Sequence, residues 1–100
     1  MLKRMKLEEV QQVVKTHGEE LRTLGVASLM VFGSVARHEE RADSDVDMLV
    51  EFSRPTGLFG LIRLRLFLEE KLGCSVDLGT PRSLRPGIRE AALAEAVRVA

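Results

Sequence analysis

The 100-residue sequence has no tryptophan, no tyrosine, no asparagine and a single cysteine. Without tyrosine, no phenolic hydroxyl of this chain can accept a transferred group. Cys74 alone closes no intrachain disulfide, and His17 and His38 are too few to complete a structural zinc site with it. Such cysteine usage fits a reducing, cytoplasmic setting. Fifteen basic residues balance fifteen acidic ones, so no global positive field draws nucleic acid to the chain. Local basic clusters remain, with Lys3, Arg4 and Lys6 at the start and Arg82, Arg85 and Arg89 towards the end. No apolar run approaches the ~20 residues that a membrane-spanning helix needs. Glu8 and Glu9 follow the basic start, where a signal peptide would carry an apolar core. Arginine outnumbers lysine eleven to four, and labile amides are few. That bias fits a thermophile, and GC-rich coding produces it equally well.

What is present centres on one stretch. The apolar run Leu29-Met30-Val31-Phe32 stops at Gly33-Ser34; ten residues later comes Asp45-Val46-Asp47, followed at once by Met48-Leu49-Val50. This pattern predicts a strand, a tight turn with a short helix, a loop and a second strand. Side chains alternate along a strand, so Asp45 and Asp47 project to one side, ~6–7 Å apart at Cα. Their charges repel by roughly 1 kcal/mol in water and by more in a less polar cleft. A cation between them would remove that penalty. Gly33 permits the turn, and Ser34 stands where a helix begins. There it either caps the helix over 35–38 or, with the outward-pointing N–H groups, meets an anion such as a phosphate. Arg37 and Arg41 lie in the charged loop that follows, within reach of a bound triphosphate or simply solvated.

Gly-Ser, ten residues, then Asp-x-Asp resembles the signature of the nucleotidyltransferase superfamily that includes DNA polymerase β. FGSVAR, ADSDVDMLVEF, the P-x-G-L-F of Pro55–Phe59, Val76-Asp77-Leu78 and the closing AEAV are similar to the minimal nucleotidyltransferases. Those proteins form one half of two-protein HEPN/MNT toxin–antitoxin modules. The resemblance runs from about Val26 to the C-terminus and departs at His38, where relatives often carry glycine. It implies an α+β fold of polymerase β palm type, with a small mixed sheet of three to four strands flanked by helices. It also implies that Asp45, Asp47 and Asp77 form the catalytic, metal-holding carboxylates for two Mg²⁺ ions. Gly33, Ser34 and, less directly, Arg37 would bind the nucleotide. The activity implied is transfer of AMP from ATP, or another NTP, to a hydroxyl of a partner HEPN toxin, a tyrosine by the family pattern. Alternatives are a contact-only antitoxin with little catalysis, and transfer to a small molecule or an RNA end.

The remaining chain reads as support. Leu7, Val10, Val14, His17, Leu21 and Leu24 recur at steps of three and four, an amphipathic helix with a break at Gly18 and a stop at Gly25. His17 shares its apolar face and reads as structural. Leu58–Leu72 predicts a helix closed by Gly73. Its apolar arc, widened by Phe59, Leu66 and Phe67, exceeds what one sheet face covers. The excess faces either a homodimer or hetero-oligomer interface, or the first helix. Ser75–Leu78 reads as a third strand, Pro86 opens a last helix with Ile88, Ala91, Ala92 and Glu95 on its packing face, and residues 96–99 add an edge strand. Asp43 to Asp47 also suggests a calcium loop, but Met48 stands where its glycine belongs and Arg54 where its glutamate does. One domain over 1–100 is expected, burying roughly 60–65% of the surface its unfolded chain exposes, with no room for a second substrate-holding domain.

Overall fold

The computed structural model describes residues 6–36 and 45–100. The chain enters α1 (Leu7–Thr16), with Glu8 and Glu9 in its first turn where the helix dipole favours negative charge. The expected break falls one residue early. α1 ends at His17 and the chain restarts as α2 (Gly18–Thr23). His17 is held there, its Nδ1 2.7 Å from Glu20 Oε2 and its ring edge-on to Phe67 at 5.8 Å between centroids.

β1 (Val26–Phe32) then leads into α3 (Gly33–Ala36), which starts two residues before the predicted helix. β2 (Val46–Phe52) runs back antiparallel to β1, pairing Leu29 with Val50 and Val31 with Met48. α4 (Leu58–Leu72) matches its predicted bounds. Leu, Arg, Glu and Lys dominate it, all good helix formers, and the left-handed Gly73 (φ +73°) closes it by donating its N–H to Glu69 O at 2.9 Å. α4 is the crossover that a parallel strand pair requires, and it delivers β3 (Val76–Gly79) alongside β2 in parallel register. A 3₁₀ turn at Pro81–Ser83, α5 (Pro86–Glu95) and the two-residue edge strand β4 (Val97–Arg98) complete the chain. The sheet order is β3-β2-β1-β4, so the four-stranded mixed sheet of the α+β expectation is present.

Alternation sorts the sheet into two faces. Leu29, Val31, Val46, Met48, Val50 and Val76 point into a core filled by Val10 and Val14 of α1, Leu21 of α2, and Leu64, Leu68 and Leu72 of α4. The i, i+4, i+8 spacing of those three leucines is what seats α4 on the sheet. α5 packs instead against β1 and α3. Its packing face differs from the predicted one: Ala92 is buried and Arg89 half-buried, while Ile88, Ala91 and Glu95 are exposed. The reason is Arg89, whose Nε donates to Pro81 O at 2.6 Å and whose Nη2 donates to Leu84 O at 3.2 Å. That clamp rotates the helix so that a guanidinium, not Ile88, faces the chain before it.

Candidate active site

The face of the sheet opposite the α1/α4 core carries the acidic residues. Across three adjacent strands the register places Phe32 beside Asp47 and Asp47 beside Asp77. The last two are direct partners in the parallel ladder, so their carboxylates leave the same face from strands about 4.8 Å apart. Val46 and Val76, their neighbours in sequence, pair with each other and are buried in the core. Burial of the valines is thus what turns both aspartates outward. Asp47 is half-buried, whereas Asp77 is exposed, as is Asp45 immediately before β2.

Gly33 explains how the half-buried Asp47 is accommodated. It adopts φ +73°, and a Cβ built on it would run into Asp47 Oδ2 and stand 3.2 Å from Asp47 Cγ. The carboxylate therefore lies over the bare α-carbon that ends β1. The turn and the first aspartate of the ladder are one packed unit. Ser34 lies in the first turn of α3, directly after this contact. Arg37, His38 and Arg41 fall outside the described residues.

β3 is a sheet edge, and its outward N–H groups need partners. Val76 N–H donates to Glu69 Oε2 on α4 at 3.0 Å, while Val46 N–H donates to Ser75 O at 3.0 Å on the sheet side. Asp77 follows directly after this double anchorage. Sequence reasoning missed Glu69, because a glutamate near the end of a helix carries no signal of a contact seven residues downstream.

The donor set at this edge is carboxylate oxygen, which suits a hard cation such as Mg²⁺. Among the described residues, no group of three or more His, Cys, Asp and Glu side chains is arranged to enclose an ion by itself. Magnesium commonly binds through one or two carboxylates, substrate phosphates and water, so Asp47 and Asp77, paired in the ladder, fit it, while Asp45 stands two residues before Asp47 at the entry to β2. A cleft of about 530 Å³, lined by Glu51, Phe52, Arg54, Pro81 and Arg82, opens at the other end of β2 from Asp47. It has no part in the carboxylate edge.

Among the described residues, no helix is long and apolar enough to cross a membrane. The nucleotidyltransferase domain profile matches residues 10–99. A protein adenylyltransferase of Thermococcus cleftensis, MntA, is 44% identical over 93% of this chain and 95% of its own. A solved structure provisionally described as a minimal nucleotidyltransferase superposes with a TM-score of 0.80 at 41% identity, covering 93% of this chain and 95% of that one. The fold also matches a chain in the structure of tri-AMPylated Shewanella oneidensis HEPN toxin in complex with MNT antitoxin. There the TM-score is 0.65 at 18% identity, over 91% of this chain and 71% of that one. Both the sequence match and the shared architecture carry the same conclusion: this chain belongs to the nucleotidyltransferase family, in its minimal form.

Proposed function

We propose that this chain is a Mg²⁺-dependent protein adenylyltransferase, transferring AMP from ATP to a tyrosine hydroxyl of a HEPN-domain toxin and thereby silencing it. The observation that carries the reading is the ladder pairing of Asp47 with Asp77, with Gly33 packed under Asp47. The Thermococcus relative is named a protein adenylyltransferase, and the Shewanella complex pairs an MNT antitoxin with a tri-AMPylated HEPN toxin.

Each residue then has a task. Asp45 and Asp47 would hold magnesium, and Asp77 would complete the site. When bound, a pair of such ions stabilises the attacking and leaving oxygens of an in-line displacement. Gly33 and Ser34 offer backbone N–H groups to the β- and γ-phosphates, and Arg37 adds its charge. The acceptor oxygen bonds to the α-phosphorus, the bond to the β-phosphate bridging oxygen breaks, and pyrophosphate leaves. Asp77 takes the hydroxyl proton. The chain works as one domain over 1–100 and takes its acceptor from a second protein, since it has no tyrosine of its own.

The test mixes this protein with the product of its neighbouring gene and Mg-ATP, and records the intact mass of both. Whole AMP units should appear on the partner and be absent with Asp45→Asn. A stable, inhibited complex with unchanged masses would sink the catalytic reading and favour neutralisation by contact.

A further inference from the structure

The apolar arc of α4 is only half used by the core. Leu64, Leu68 and Leu72 are buried, but Leu58 is 69% exposed, Phe59 84%, Ile62 37% and Leu66 54%. At 100° per residue these four form one stripe along the first three turns of the helix. Side chains of this size and exposure present on the order of 400 Å² of apolar surface, in the range that marks interaction sites. A standard interface buries about 800 Å² per partner, so the stripe can supply its centre and a polar rim must supply the rest.

The rim has a sign. Arg63 and Arg65 are exposed on opposite flanks of the stripe, and neither has a hydrogen-bond or ion-pair partner among the described residues. The carboxylates farther along are engaged, Glu69 with Val76 N–H at 3.0 Å and Glu70 beside Lys71 Nζ at 4.0 Å. An apolar stripe with a positive rim fits an amphipathic helix with an acidic rim. It does not fit a second copy. Two-fold pairing of antiparallel α4 helices sets each flank against itself, placing each arginine near its own duplicate.

We infer that the α4 stripe is the docking surface for the acceptor protein, which lays on it an apolar helix face bordered by aspartates and glutamates. This rests on the proposed transfer to a partner protein and adds where that partner is held. The stripe begins just after the end of β2 remote from Asp47, some 17 Å along the strand. Docking there grips the acceptor away from the chemistry and leaves the carboxylate edge free to receive its hydroxyl.

The experiment titrates the product of the neighbouring gene against wild type, Phe59→Asp/Leu66→Asp and Arg63→Glu/Arg65→Glu, with thermal melts to verify folding. Light scattering of the wild type alone should give a monomer. Affinity should fall about 30-fold or more in the aspartate variant, the loss expected at a buried hot spot. It should fall about 10-fold in the charge-reversed variant, with the wild-type affinity weakening as salt rises. AMP transfer at saturating acceptor should persist in both. Unchanged affinity in folded variants, no binding by the wild type, or a wild-type dimer that Phe59→Asp/Leu66→Asp dissociates would each overturn the inference. Wild-type binding that both variants weaken, without AMP transfer, would refute the chemistry and uphold the docking surface. Transfer with affinity unmoved by either variant would do the reverse.

Discussion

Gly33→Ala separates backbone strain from damage to the site, because the fold contains its own control. Gly33 and Gly73 share the same φ of +73°, but nothing lies within 4 Å of a Cβ built on Gly73, whereas one on Gly33 meets the Asp47 carboxylate. Alanine in the left-handed region costs about 1–2 kcal/mol at either position. For a domain of this size each kcal/mol lowers Tm by about 4–8 °C. Gly73→Ala should therefore melt roughly 4–16 °C lower and retain AMP transfer at a temperature where it is folded. Gly33→Ala should melt at least as low and in addition lose activity. Moving the carboxylate by about 1 Å is enough to cost on the order of 10²-fold in rate. The assay is AMP transfer by intact mass, at equal folded fraction set by circular dichroism. If both variants keep equal activity, Gly33 does not position Asp47 and the packing argument fails.

Two further perturbations probe the support beneath the site. Leu64→Ala opens a cavity where α4 meets the sheet, at a fully buried residue, and should cost 2–5 kcal/mol by denaturant melts with little change in the m-value. Glu69→Ala removes the acceptor for Val76 N–H and should cost about 1–3 kcal/mol. It should also raise the Mg²⁺ concentration for half-maximal transfer, because β3 carries Asp77. Glu69→Gln, which retains a carbonyl acceptor, should restore most of both; equal effects of the two substitutions would mean that charge, not this hydrogen bond, is what matters.

Local pattern and global packing divided the information between them. Elements set by local chemistry were legible: β1 by its continuous apolar run, and α4 by good helix formers between Gly57 and the left-handed stop at Gly73. The outward side of Asp47 was legible because alternation between Val46 and Met48 is a property of neighbouring residues, whereas Asp45 falls just before β2, where alternation does not act. Two features escaped a linear reading because each depends on residues far apart or on an element's rotation. The break at His17 follows its contacts with Glu20 and Phe67, so Gly18 is not where the helix bends. The exposed Ile88 follows the Arg89 clamp on Pro81 and Leu84, which overrides a simple apolar-face count.

The sequence by itself determined the order of the elements, the carboxylates on offer and the absence of any tyrosine hydroxyl, because propensity, alternation and composition are properties of the chain. Only the tertiary structure decided that Asp77 stands beside Asp47, since a parallel register is set by the α4 crossover and the Glu69 anchorage. It alone also decided which half of the apolar arc of α4 remained uncovered. A helix has more apolar surface than the sheet beneath it can reach, and where that surplus points is set by Leu64, Leu68 and Leu72 docking into the core.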